Sequence, residues 1–275
     1  MPTPPATASI PTSAACAPCP PIEIATMNFH DITRSHLADT AADSVRPRLA
    51  EEAALETHLG TLREQYRDFQ RIKVKTAANA RQGAELQLQI ARTLVSLERG
   101  AEAWPMAREA LDNLIQARDF ESAADCCDVL FRAEQPQSLS ALGQGIWLAV
   151  TYPMDPELSV ELLSHVIEDT PDDADGAAVA ATTALFLADV RAQGSQRENL
   201  MFFASQQLGE VARRHSQVDN QDAFDAWRDR LELREPDKFL VRLRNIVDVL
   251  VQDDWWFDRE ALQSELPLNE GSKTS

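Results

Sequence analysis

AELQLQIARTLVSLERGAEAWPMAREALDNLIQARDFESAADCCDVLFRA, residues 84–133, decides the fold. Alanine, leucine, glutamate, glutamine and arginine dominate it, and these are strong helix formers. The reading predicts three helices, near 84–99, 101–117 and 120–133. Gly100 and the short stretch Ala117-Arg118-Asp119 separate them. Connections this short force neighbouring helices antiparallel, so the segment reads as helical hairpins.

The same texture extends outward in both directions. A helix is expected over about 48–80, with Leu55, Leu59, Leu62, Tyr66 and Phe69 spaced four, three, four and three. That seam has coiled-coil alternation for barely two heptads, so it fits an amphipathic helix lying on its own domain or a dimer seam. Further helices are expected near 139–150, 156–168, 177–192, 198–216, 222–233, 237–252 and 258–265. Asp155 before Pro156 reads as an N-cap with proline at the first helical position, and Asp258 as the cap of the last helix. No β-branched or aromatic run alternates strictly; residues 72–76, IKVKT, come nearest.

Residues 1–27 form a Pro-rich tail expected to be disordered, since residues 1–26 hold seven of the 15 prolines and one charge, Glu23. Residues 28–267 are expected to make one all-helical domain, with a subdivision near 151–156 left open. Residues 268–275 read as a flexible tail. The start carries no lysine or arginine and its prolines interrupt every apolar run, so it does not read as an export signal.

The net charge of −18 opposes binding to nucleic acid or anionic lipid through bulk electrostatics. No apolar run reaches the roughly 18 residues needed to span a membrane. The four cysteines, two in the tail and two adjacent, do not form the framework of a disulfide-stapled domain, and a cytoplasmic setting is expected.

Cys16 and Cys19, followed by His30 and His36, have side-chain types suited to tetrahedral zinc, but the interior spacing is short and no hairpin intervenes. Adjacent Cys126 and Cys127 project about 100° apart on a helix, which suits packing better than chelation. HExxH, P-loop, GxGxxG and GxSxG motifs are absent. No cofactor, metal or catalytic residue is therefore expected.

Two charged tracts stand out. Arg63, Arg67, Arg71, Lys73, Lys75 and Arg81 interleave with Tyr66 and Phe69, whereas 151–190 carries nine acids and no lysine or arginine. Tyr66, Arg67, Arg71, Lys73 and Lys75 are candidate partner-binding residues, facing an acidic partner or the acidic tract of another copy. Trp255 and Trp256 in QDDWWFDRE, residues 252–260, are further candidates. There a buried closure of the helical stack, with Phe257 in the core, competes with an exposed aromatic anchor.

Within 86–115, Ile90, Ala91 and Leu94 fall near first-helix packing positions, and Ala103, Ala107 and Ala110 near second-helix small positions, of the tetratricopeptide pattern. This one unit resembles a tetratricopeptide repeat; the first-helix tryptophan and terminal proline are missing, and no 34-residue period recurs. The resemblance implies an interaction scaffold and transfers no functional residue. The expected fold is thus all-α, with antiparallel hairpins stacked as a tetratricopeptide-like repeat or an irregular bundle. The expected role is non-catalytic: an adaptor, assembly chaperone or accessory factor, with a protein partner such as an enzyme subunit, or with a second copy as a homodimer. A helical-bundle enzyme or a cofactor- or metal-binding protein is the alternative.

Overall fold

The structure, a computed structural model, describes residues 34–72 and 76–266, with side chains from residue 49 onward. The chain divides into two units, Met1–Arg48 and Leu49–Ser275. In the first, the described backbone is helical from Arg34. The second carries the hairpins.

Eleven helices and no strand occur among the described residues: α1 (Arg34–Gln70), α2 (Ala77–Ser96), α3 (Gly100–Gln116), α4 (Phe120–Arg132), α5 (Ser138–Thr151), α6 (Pro156–Asp169), α7 (Asp175–Arg191), α8 (Gly194–Ser216), α9 (Gln221–Arg230), α10 (Pro236–Val251) and α11 (Arg259–Ser264). The expected helix over 48–80 is two helices. The first ends at Gln70 and Thr76 starts the second: its backbone is extended and its hydroxyl accepts the Asn79 N–H at 3.1 Å, capping α2 seven residues earlier than the reading placed that helix. Asp155 and Asp258 cap α6 and α11 as the sequence predicts, and Asp119 and Asn220 do the same for α4 and α9.

Each helix from α2 to α8 packs on the next, and α2, α4, α6 and α8 also touch in succession. They form one layer, with α3, α5 and α7 behind it. This arrangement is compatible with a helical repeat. Helix α10 departs from the alternation by returning against α5 and α7. Side chains dictate this order. Helix α5 is buried over most of its surface, and glycines make room on two sides of it. A Cβ on Gly143 would stand 2.6 Å from Val251 Cγ2 of α10, and one on Gly145 would stand 2.8 Å from Cys127 Cβ of α4. Cys126 and Cys127 are both fully buried, and burial pushes both thiols up, so they are inert packing groups.

Three of the turns share one recipe. Glu98, Arg118 and Glu232 have positive φ, and each ends a helix in a Schellman motif. After α2, for instance, Arg99 N–H bonds to Leu94 O and Glu98 N–H to Val95 O. After α4 the outer bond is replaced: the Ser138 hydroxyl accepts from Gln135 N–H at 2.8 Å and donates to Leu130 O at 3.1 Å. At the end of α5, Arg191 of α7 donates to Ala149 O at 2.6 Å and Val150 O at 3.1 Å, satisfying terminal carbonyls. No described helix is long and apolar enough to cross a membrane.

Candidate functional site

Helices α4 and α6 bring the strongest chemistry together on the layer of even-numbered helices. Asp125 and Asp128 lie three apart on α4, and Glu161 and His165 four apart on α6, so each pair shares a helix face. Asp128 is buried at the centre. Its Oδ1 stands 2.7 Å from His165 Nε2, and its Oδ2 accepts from Arg132 Nη1 at 3.4 Å. Arg132 also lies 3.9 Å from Glu161 Oε1. Asp128, Glu161 and His165 are of metal-ligand type, with donor atoms within 4.8 Å of one another. The Arg132 guanidinium supplies a cation between the two carboxylates.

A cavity of about 400 Å³ opens over this network. Glu121, Asp125, Asp128, Asp155 and Glu161 line it against only two cations, Arg92 and Arg132. The imbalance is visible in the carboxyls themselves. Burial, then the charge of Asp128, pushes Glu161 above the ordinary carboxylate range. Burial raises Asp125 as well, despite its ion pair with Arg92, and Asp128 adds to the rise. A second cavity, of about 310 Å³, continues from Glu161 and His165 to Leu200 and Phe203 of α8. Phe202 and Phe203 are 69% and 48% exposed, so an apolar edge borders the acidic groove.

The residues singled out in the sequence lie elsewhere. Tyr66 is half-buried beside the core, together with buried Leu59 and Leu62, so this part of the seam lies on its own unit. Arg67 pairs with Glu64 at 3.6 Å and Arg71 with Asp68 at 2.9 Å, while Arg63 and Arg81 pair with Glu102 and Asp119. Each described member of the basic stripe thus has an acidic neighbour within the chain. Lys73 and Lys75 lie outside the described residues, as do Cys16, Cys19 and His30, and of His36 only the helical backbone is described.

Trp255, Trp256 and Phe257 are half-buried against the core. Trp147 of α5 meets Trp255 and Phe257 with ring centroids 6.0 and 5.5 Å apart, and Trp104 of α3 meets Trp256 at 6.1 Å. Arg259 covers the Trp255 ring and Arg108 the Trp256 ring, each at 4.5 Å. Backbone anchors fix the turn: Gln144 Oε1 accepts the Trp256 N–H at 2.9 Å, and the Ser140 hydroxyl donates to Asp254 O at 3.1 Å. This is the packing of a closure.

Family models, curated proteins and solved structures offer no match to this chain. Sequence reasoning passed over Asp125, Asp128, Glu161 and His165. The available signal was their spacing of three and four on two alternate helices, α4 and α6, together with the acidic tract at 151–190 that supplies Asp155 and Glu161.

Proposed function

We propose that this chain is a non-catalytic interaction scaffold, an adaptor or assembly chaperone, that holds a basic segment of a partner protein on its α2–α4–α6–α8 face. One observation carries the reading: the α4–α6 cavity concentrates five carboxylates against two arginines, and burial leaves Asp125 and Glu161 short of compensating charge. A lysine or arginine side chain entering the cavity would supply that charge, and electrostatic complementarity of this kind favours encounter and register. The exposed Phe202–Phe203 edge offers an apolar anchor beside it. The internal pairing of the basic stripe makes it the weaker docking surface.

Affinity capture from the native cell, followed by cross-linking and mass spectrometry, tests this. Cross-links should map to α4, α6 and α8 and join a lysine- or arginine-rich partner peptide. Asp125→Asn with Glu161→Gln should weaken capture at least about tenfold, as expected for partly buried charge contacts. Arg67→Glu with Arg71→Glu should leave it unchanged. The reverse pattern returns the site to the basic stripe, and capture of a second copy through that stripe, seen by sedimentation, makes the chain a homodimer.

A further inference from the structure

We propose that the cavity between α1, α2 and α3 is a binding site for a small ligand that presents a carbonyl beside N–H donors, the edge of an amide, ureido or lactam group. This is independent of the partner-binding reading, because the cavity shares no lining residue with the α4–α6 groove.

The cavity measures about 450 Å³, within the range of small-molecule sites. One wall is apolar and flat. Gly83 lets the Phe69 ring lie against α2, since a Cβ there would stand 2.6 Å from Phe69 Cε1. The polar lining consists of side-chain amides, among them Gln87 and Asn113, with the Glu109 carboxylate and the Tyr66 hydroxyl. Among the described residues, no lysine, arginine or histidine lines it.

Gln87 is the decisive residue. It is 2% exposed, and its Nε2 is buried without a hydrogen-bond partner. A buried donor left unmade is destabilising, and buried amides in folded proteins nearly always find an acceptor. Gln87 lines the cavity, and a ligand carbonyl supplies that acceptor once the side-chain amide turns toward it. Glu109 and the amide oxygens then accept the ligand's N–H groups. Burial, with a smaller contribution from Glu109, pushes the Tyr66 phenol up, so it stays protonated and able to donate. Anions find no cation among the described residues of this wall, and a hydrocarbon leaves Gln87 unsatisfied.

The full chain, labelled with ¹⁵N, is titrated with glycinamide, N-methylurea and cytosine, and separately with acetate and inorganic phosphate. At least one of the first three should shift the Gln87 side-chain amide and the Gly83 backbone amide saturably, and neither anion should do so. Gln87→Met should keep the helical circular dichroism and melt at the same or a higher temperature, because it removes an unsatisfied donor. It should weaken the positive probe by about tenfold or more. Three outcomes would overturn the proposal: no saturable shift from any of the three probes, unchanged affinity in Gln87→Met, or equal shifts with the anions.

Discussion

Gln144 is fully buried inside α5, yet every polar atom of its amide is used. Its Nε2 donates to Ser140 Oγ at 3.2 Å and Asp254 O at 3.3 Å, while its Oε1 accepts the Trp256 N–H. One side chain therefore serves the backbone of a turn 112 residues away. Gln144→Leu orphans the Trp256 N–H, while Asp254 O keeps the Ser140 hydroxyl. The expected loss is about 1–3 kcal/mol by urea denaturation. Trp256→Ala should cost about 2–4 kcal/mol, because the ring is half-buried. A loss below about 1 kcal/mol in Gln144→Leu would show that ring packing alone holds the turn. In the sequence, two tryptophans among acids admit either a core or a surface reading. Gln144 ties that turn to α5, and a glutamine inside an apolar helix carries no periodic mark of a distant partner.

At the scale of elements, the hairpins were legible because periodicity and short breaks are local. What local sequence hides is why each break occurs. Gly100 reads as a helix breaker, but the left-handed residue of that turn is Glu98. Gly100 is needed for proximity instead: a Cβ there would stand 2.1 Å from Ala133 O at the end of α4. Gly100→Ala should therefore cost about 3 kcal/mol, the upper end for overpacking, because backbone must move. Glu98→Gly should instead stabilise, by about 0.5–1 kcal/mol, by relieving a left-handed non-glycine residue. Opposite signs two residues apart, measured as denaturation midpoints, separate the two roles; stabilisation by Gly100→Ala would refute the close approach. The break between α1 and α2 was missed for a related reason. Helix propensity extends across it, and the Thr76 cap that wins is a single hydrogen bond. The α4–α6 groove was hidden by topology, since α4 and α6 become neighbours only once α5 has folded behind them.

Across the whole molecule, charge is the dominant long-range term. A net charge of −18 means mutual repulsion of carboxylates, which opposes compaction. Many arginines offset this locally: Asp175 takes both Arg242 and His215, and Asp172 faces Arg214. Exposed pairs of this kind contribute little each, and salt screens them together with the repulsion. Two carboxyls of the α4–α6 groove settle the sign. Asp125 and Glu161 are raised, so the folded state binds their protons more readily than the unfolded chain does. Their ionisation costs stability as pH rises from the ordinary carboxylate range through their folded values, and that stability returns as pH falls back through the same window. Glu102 is lowered by Arg99, and Asp225 by Gln221 and then Arg234; both act oppositely, but only as pH falls through the ordinary carboxylate range and below it. The thermal midpoint should therefore rise by a few degrees between pH 7 and about pH 5 before acid unfolds the chain. It should also rise when salt is raised from about 0.01 M to 0.15 M at pH 7, as the Debye length shrinks to about 8 Å. Asp125→Asn should raise the midpoint at pH 7 and flatten the acid side of the profile. Calorimetry over a grid of pH and salt reads all three. A midpoint that falls with added salt would mean that the arginine pairs outweigh the net repulsion, and that the acidic surface is balanced where it stands rather than waiting for a cationic partner.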